Sequence, residues 1–109
     1  MKIAEKILNA INEMANMGGF DDCKVIINST DHEPPHVHIL KNGELVAKVE
    51  IPLAIVKNSS ELKIMKKGKA FKEYILSSFV QWGLEQSKKL TRYKNFEACT
   101  DIWNLLHSG

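Results

Sequence analysis

Asn42-Gly43 lies between two stretches that alternate apolar and polar residues. A two-residue hairpin loop needs positive φ at both positions, and Asn-Gly adopts it at least cost. The dipeptide therefore predicts that His36–Leu40 and Glu44–Ile51 are neighbouring antiparallel strands. On the return strand, Leu45, Ala47, Val49 and Ile51 alternate against Glu44, Lys48 and Glu50, the period of a strand with two unlike faces. A regular loop would pair Lys41 with Glu44, Leu40 with Leu45 and His38 with Ala47. His36 and His38 would then share the face of Leu45, Ala47 and Val49, the core side. A bulge or a three-residue loop would reverse that assignment.

The hairpin has neighbours on both sides. Ile3, Ile7, Leu8, Ile11, Met14 and Ala15 fall on one face of a predicted N-terminal helix over 2–17, ended by Gly18-Gly19. Cys23 to Ser29 reads as a strand, with Val25, Ile26 and Ile27 β-branched. Leu62 to Met65 is a candidate edge strand flanked by lysines. Phe71, Ile75, Phe79 and Trp82 mark a long helix opening after Gly68 and fading near Leu90. Phe96, Cys99, Ile102, Trp103 and Leu106 mark a C-terminal helix over 95–107, with Asn95 as its N-cap. The fold expected is α+β: a small antiparallel sheet of about three to four strands, packed by an N-terminal, a long and a C-terminal helix.

Composition narrows the class. The 109 residues form one expected domain, 1–109, long enough to bury a core without a disulfide. Net charge is +2, so no molecule-wide basic footprint for nucleic acid exists. Two cysteines, Cys23 and Cys99, make no disulfide framework and are expected as free thiols. Lys2, Glu5 and Lys6 interrupt any leader-like start, and no apolar run suits a bilayer. The expected compartment is the cytoplasm.

Chemistry concentrates at Asp31-His32-Glu33-Pro34-Pro35-His36-Val37-His38, which holds three of the four histidines. The prolines stiffen the bend, and His36 and His38 share a strand face. Three readings stay open. The first is a metal site, with two imidazoles on one strand and a third ligand from His32, Asp31 or Glu33. The second is acid–base chemistry near neutral pH, in which Asp31 or Glu33 orients a histidine and Lys24, Lys41 or Lys48 holds a phosphate. The third is structural: histidines satisfied by backbone carbonyls at a strand start. No cofactor is required; the one these residues would admit is a divalent metal such as zinc. His107 is read as a cation at a helix end.

At these residues the chain resembles a known family, the bacterial domain of unknown function 4160. The signature matched is Asp31-His32, Pro34-Pro35-His36 and His38, followed by a Gly-containing hairpin, with Trp82 in the helix after it. The resemblance covers about residues 23–89, and the helix before residue 19 is an addition to it. It implies the toxin member of a toxin–antitoxin pair, with His32, His36 and His38 as the catalytic or binding set. The same three residues are its candidate metal ligands.

Lys63, Lys66 and Lys67, with Lys24 and Lys48, are the candidate phosphate contacts; such residues grip backbone without reading bases. The leading expectation is a small bacterial or phage-type toxin-like protein acting on nucleic acid through His36 and His38, supported by His32 and Asp31. A small antitoxin-like protein would be its partner, and a homodimer is admissible. The alternative is a non-enzymatic binding module that sequesters a protein partner.

Overall fold

The computed structural model describes residues 14–108. The fold is α+β, with five strands and two helices among those residues. The strands are β1 (Met14–Phe20), β2 (Cys23–Asn28), β3 (His36–Lys41), β4 (Glu44–Glu50) and β5 (Ile64–Lys67). They form one antiparallel sheet in chain order, β1-β2-β3-β4-β5. The helices are α1 (Glu73–Gly83) and α2 (Asn95–His107). The sheet is thus larger than the three or four strands expected. None of the helices described is long and apolar enough to cross a membrane.

The additional strand is β1, and it corrects the N-terminal helix assignment. Met14 to Met17 is extended; the rest of that expected helix, 2–13, lies outside the described residues. Ala15 and Met17 are buried and their neighbours exposed, a period of two inside an apparent helical stripe. Gly18-Gly19 marks a bulge rather than a helix end, with Met17 and Gly18 together opposite Val25. Gly18 has φ +104°, and the β1–β2 register shifts between Asn16 and Gly19. A Cβ on Gly19 would overlap the Cys23 carbonyl. Glycine supplies both a helix stop and a strand bulge, so the pair alone did not discriminate. The β1–β2 turn at Asp21-Asp22 takes positive φ at both residues, 46° and 64°, as two-residue hairpins require.

The Asn42-Gly43 turn forms as expected, with φ 51° and 79° and with Lys41 opposite Glu44. A bulge follows at once. Leu40 pairs with Leu45 but Ile39 pairs with Ala47, so Val46 is the extra residue. His38 therefore faces Lys48, not Ala47. The one-residue slip moves the histidines off the face carrying Val25, Ile27, Val37, Ile39, Ala47 and Val49. Those six are fully buried and join the core of both helices.

The helices complete that core. From α1, Ile75, Leu76, Phe79, Val80 and Trp82 are buried; from α2, Phe96, Ala98, Cys99, Ile102 and Trp103. Phe79 stacks on Trp82 and meets Phe96 edge-on, at ring separations of 5.8 and 5.1 Å. Asn95 is not the cap of α2. It is the first helical residue, and its buried side-chain N–H donates to the Trp82 carbonyl at 2.8 Å, tying α2 to the end of α1. The Glu97 carboxylate instead accepts from the Lys94 N–H at 2.9 Å. The edge strand β5 begins two residues later than the candidate Leu62–Met65. The long helix is shorter than its stripe suggested, because residues 84–94 form an irregular connection.

Candidate functional site

The bend from Asp31 to Pro35 joins β2 to β3 and folds back over the start of β3. Its Asp31 N–H donates to the Asn28 carbonyl, and the Ile51 N–H donates to the Pro35 carbonyl at 2.9 Å. The carboxylate of Asp31 is thereby set against the first two outward residues of β3. His38 Nε2 lies 2.8 Å from Asp31 Oδ2, and His36 Nε2 lies 3.4 Å from the same oxygen. The two imidazoles stack, with centroids 5.3 Å apart and planes 28° apart. Asp31, His36 and His38 each place one potential ligand atom within 4.8 Å of the others. The histidine side chains are 5% and 15% exposed and the aspartate 19%, so this polar centre is mostly withdrawn from water.

Hydrogen bonding fixes the rings. His36 Nδ1 lies 2.9 Å from the Pro34 carbonyl. A carbonyl only accepts, so Nδ1 carries a proton, and in the neutral tautomer this fixes, Nε2 presents a lone pair. The Asp31 carboxylate also only accepts, so His38 donates from Nε2. Burial is the main influence on His38 and pushes its pKa below the ordinary value. The charge and hydrogen bond of Asp31 oppose that shift, while His36 and Lys48 add to it. At neutral pH His38 is therefore mainly the uncharged donor to Asp31.

A second tie comes from the far end of the chain. His107 Nε2 contacts the Asp31 carbonyl at 2.9 Å and His107 Nδ1 the Trp103 carbonyl at 2.8 Å. Both partners only accept, so each contact is a bond when the ring nitrogen facing it carries a proton. His107 also stacks on Trp103, at 3.7 Å and 15°, and Trp103 lies 5.5 Å from His36. The sequence treats His107 as an isolated helix-end cation. One signal was available, since Trp103 and His107 are four apart and share a helix face, but nothing local pointed to Asp31.

The structure brings together Asp31, His36 and His38. It leaves His32 exposed on the bend and outside that group. Of the lysines, Lys48 is the cross-strand partner of His38, and Lys66 is the partner of Lys48. The row Ile26–His38–Lys48–Lys66 thus runs across four strands on one face. Lys24 lies on the same side of β2 as Ile26 and is exposed. Lys67 pairs with Ala47 on the opposite side, and its ammonium sits 4.8 Å from the Phe71 ring centre. Lys63 is exposed just before β5.

The profile of one family, described as Domain of unknown function (DUF4160), matches residues 23–91. The chain belongs to the DUF4160 family. The match begins at β2, spans the bend, both histidines, the lysine row and α1, and ends before α2. Within this member of DUF4160 the match therefore contains Asp31, His36 and His38 but not the Trp103–His107 pair that braces them. Comparison with curated proteins and with solved structures gave no match.

Proposed function

We propose that this DUF4160 protein acts on nucleic acid as a small toxin-like protein of the bacterial cytoplasm, with the Asp31–His36–His38 centre as its working group. The observation that carries the reading is the alignment of Lys48 and Lys66 with His38 in one cross-strand row. A phosphate held by those two ammonium groups would lie beside the centre, where a water or hydroxyl nucleophile can be activated. The net charge of +2 fits a local grip better than an extended one. An antitoxin-like partner would then serve by covering this face.

The test compares growth inhibition on induced expression, and cleavage of RNA and DNA by the purified protein, across wild type, His38→Ala and Lys48→Ala. Both substitutions are expected to abolish the effect, while His32→Ala retains it. Equal activity in folded His38→Ala would remove the centre from the reading.

A second reading rests on a different place. Leu53 and Ile55 are 82% and 80% exposed and line a groove of about 610 Å³ with Val56, Leu84, Tyr93 and Phe96. Exposed apolar side chains beside such a groove favour a protein partner. In this reading the chain is a binding module and the histidines serve the fold.

A further inference from the structure

The Asp31–His36–His38 centre poses a problem for a metal-free protein. His36 commits its proton to the Pro34 carbonyl through Nδ1, so its Nε2 lone pair points at Asp31 Oδ2 from 3.4 Å. In the neutral tautomer two acceptors thus face each other, and His36 is only 4% exposed. Acceptors that close repel each other, the more so where water is scarce. A cation between them turns the repulsion into two bonds. We propose that the centre binds one divalent transition-metal ion of the zinc class, through a carboxylate oxygen of Asp31 and one ring nitrogen each of His36 and His38.

The geometry is close to what such an ion needs. Two ligands about 2.1 Å from zinc at a tetrahedral angle stand about 3.4 Å apart. His36 Nε2 and Asp31 Oδ2 already have that separation, 3.4 Å. The His38–Asp31 pair, at 2.8 Å, opens by roughly half an ångström as the bridging proton leaves. All three ligand atoms start within 4.8 Å. The hydrogen bond from His36 Nδ1 to a backbone carbonyl is the support that keeps a metal-bound imidazole oriented. Two imidazoles and one carboxylate form the donor set of catalytic sites that keep a further position for water. Burial also favours this role for His36: a ligand need not meet the substrate, whereas a proton-transfer group must. The third ligand is Asp31, and His32 has no part.

This site shares residues with the function proposed above but does not require it. The test uses untagged full-length protein, stripped with chelator and titrated with Zn²⁺ by calorimetry, with elemental analysis of the metal retained. One zinc per chain is expected. Asp31→Asn and His38→Ala should each bind at least about 100-fold more weakly, since loss of a mere supporting partner already costs 10–100-fold. His32→Ala should bind as wild type does, and excess Mg²⁺, which prefers oxygen ligands, should not compete. No stoichiometric zinc, undiminished affinity in folded Asp31→Asn, or loss of zinc in His32→Ala would each overturn the proposal. Melting curves establish that the two informative variants fold. Zinc bound by a chain without effect on cells would sink the nucleic-acid reading and leave the metal site. Cellular toxicity in a chain that binds no zinc would do the reverse.

Discussion

The bend at Asp31–His38 and the segment at Leu53–Ile55 follow opposite rules. In the bend, polar groups are drawn inward, and each one that is buried finds a partner: Asp31 meets His38, and His36 meets the Pro34 carbonyl. Among the described residues no buried side-chain nitrogen or oxygen lacks a hydrogen bond. In the second segment, Leu53 and Ile55 stand almost wholly in water with Val56 buried behind them. Burying polar groups is costly unless they are satisfied, so the bend must be held by the fold around it. Exposing apolar groups forgoes burial they could have had, about 25 cal/mol per Å². The bend therefore depends on distant residues to satisfy it, whereas the exposed Leu53 and Ile55 side chains ask for no such support.

The largest expected effect tests that dependence. Trp103 is 1% exposed, stacks on His107 and lies against His36. Trp103→Ala should cost about 3–5 kcal/mol in urea unfolding, the range for emptying a buried tryptophan site. It should also loosen the bend, because His107 loses the surface that aims it at the Asp31 carbonyl. Trp103→Phe, which keeps a ring, should lose less. Nuclear magnetic resonance shifts of the His36 and His38 rings would report the loosening. If Trp103→Ala left those shifts in place, the bend would be self-supporting and the contrast between the two regions would fail.

A smaller effect should appear with pH. The folded state lowers the pKa of His38, chiefly through burial, against the pull of Asp31 and with further push from His36 and Lys48. The unfolded chain, with a value near 6.5, then binds more protons than the folded one as the medium acidifies. The stabilising contribution is complete above that value and is lost as pH falls through it toward the folded value. Metal-free protein should therefore show a decline in thermal midpoint from pH 7 to pH 5, and His38→Gln should flatten it. An unchanged slope in that variant would mean that the buried centre does not govern the acid response. Leu53 and Ile55 carry no titrating group, so substitutions there should leave the slope alone.

How much of this could be read from the chain varied with the range of the interaction. Asn42-Gly43 announced its turn because two dihedral angles decide it. The alternation after it announced a strand for the same local reason. The bulge at Val46 was not legible: every residue around it suits a strand, and the slip is chosen by which side chains the helices bury. That one residue decided whether His36 and His38 faced the core or the lysines. The helix assigned through Met14 to Met17 failed because Ala15 and Met17 fit both a helical stripe and a strand alternation. Pairing with Ile27 and its neighbours settled the matter, and pairing is a tertiary fact. In the centre, His36 and His38 were legible from density and strand parity. Asp31 was visible as one candidate among three third ligands. The bracing by His107 crosses 76 residues and left no trace in local pattern.

The smallest expected effect lies in the groove and is the sharpest test of the contrast. Leu53 at 82% and Ile55 at 80% exposure have little surface left to expose on unfolding. Replacing both by serine should change stability by no more than about 0.5 kcal/mol, as for surface sites that make no special contact. Two large apolar residues kept in water without benefit to the fold then need a reason outside it. A measured loss above 1 kcal/mol would show that they pack in the folded state after all, and the binding-module reading would lose its support. Near-neutral stability, together with weaker capture of a co-purifying protein by the double variant, would instead assign the apolar side chains to a partner. The two regions would then divide the labour: one centre held rigid from afar, and one surface left free for contact.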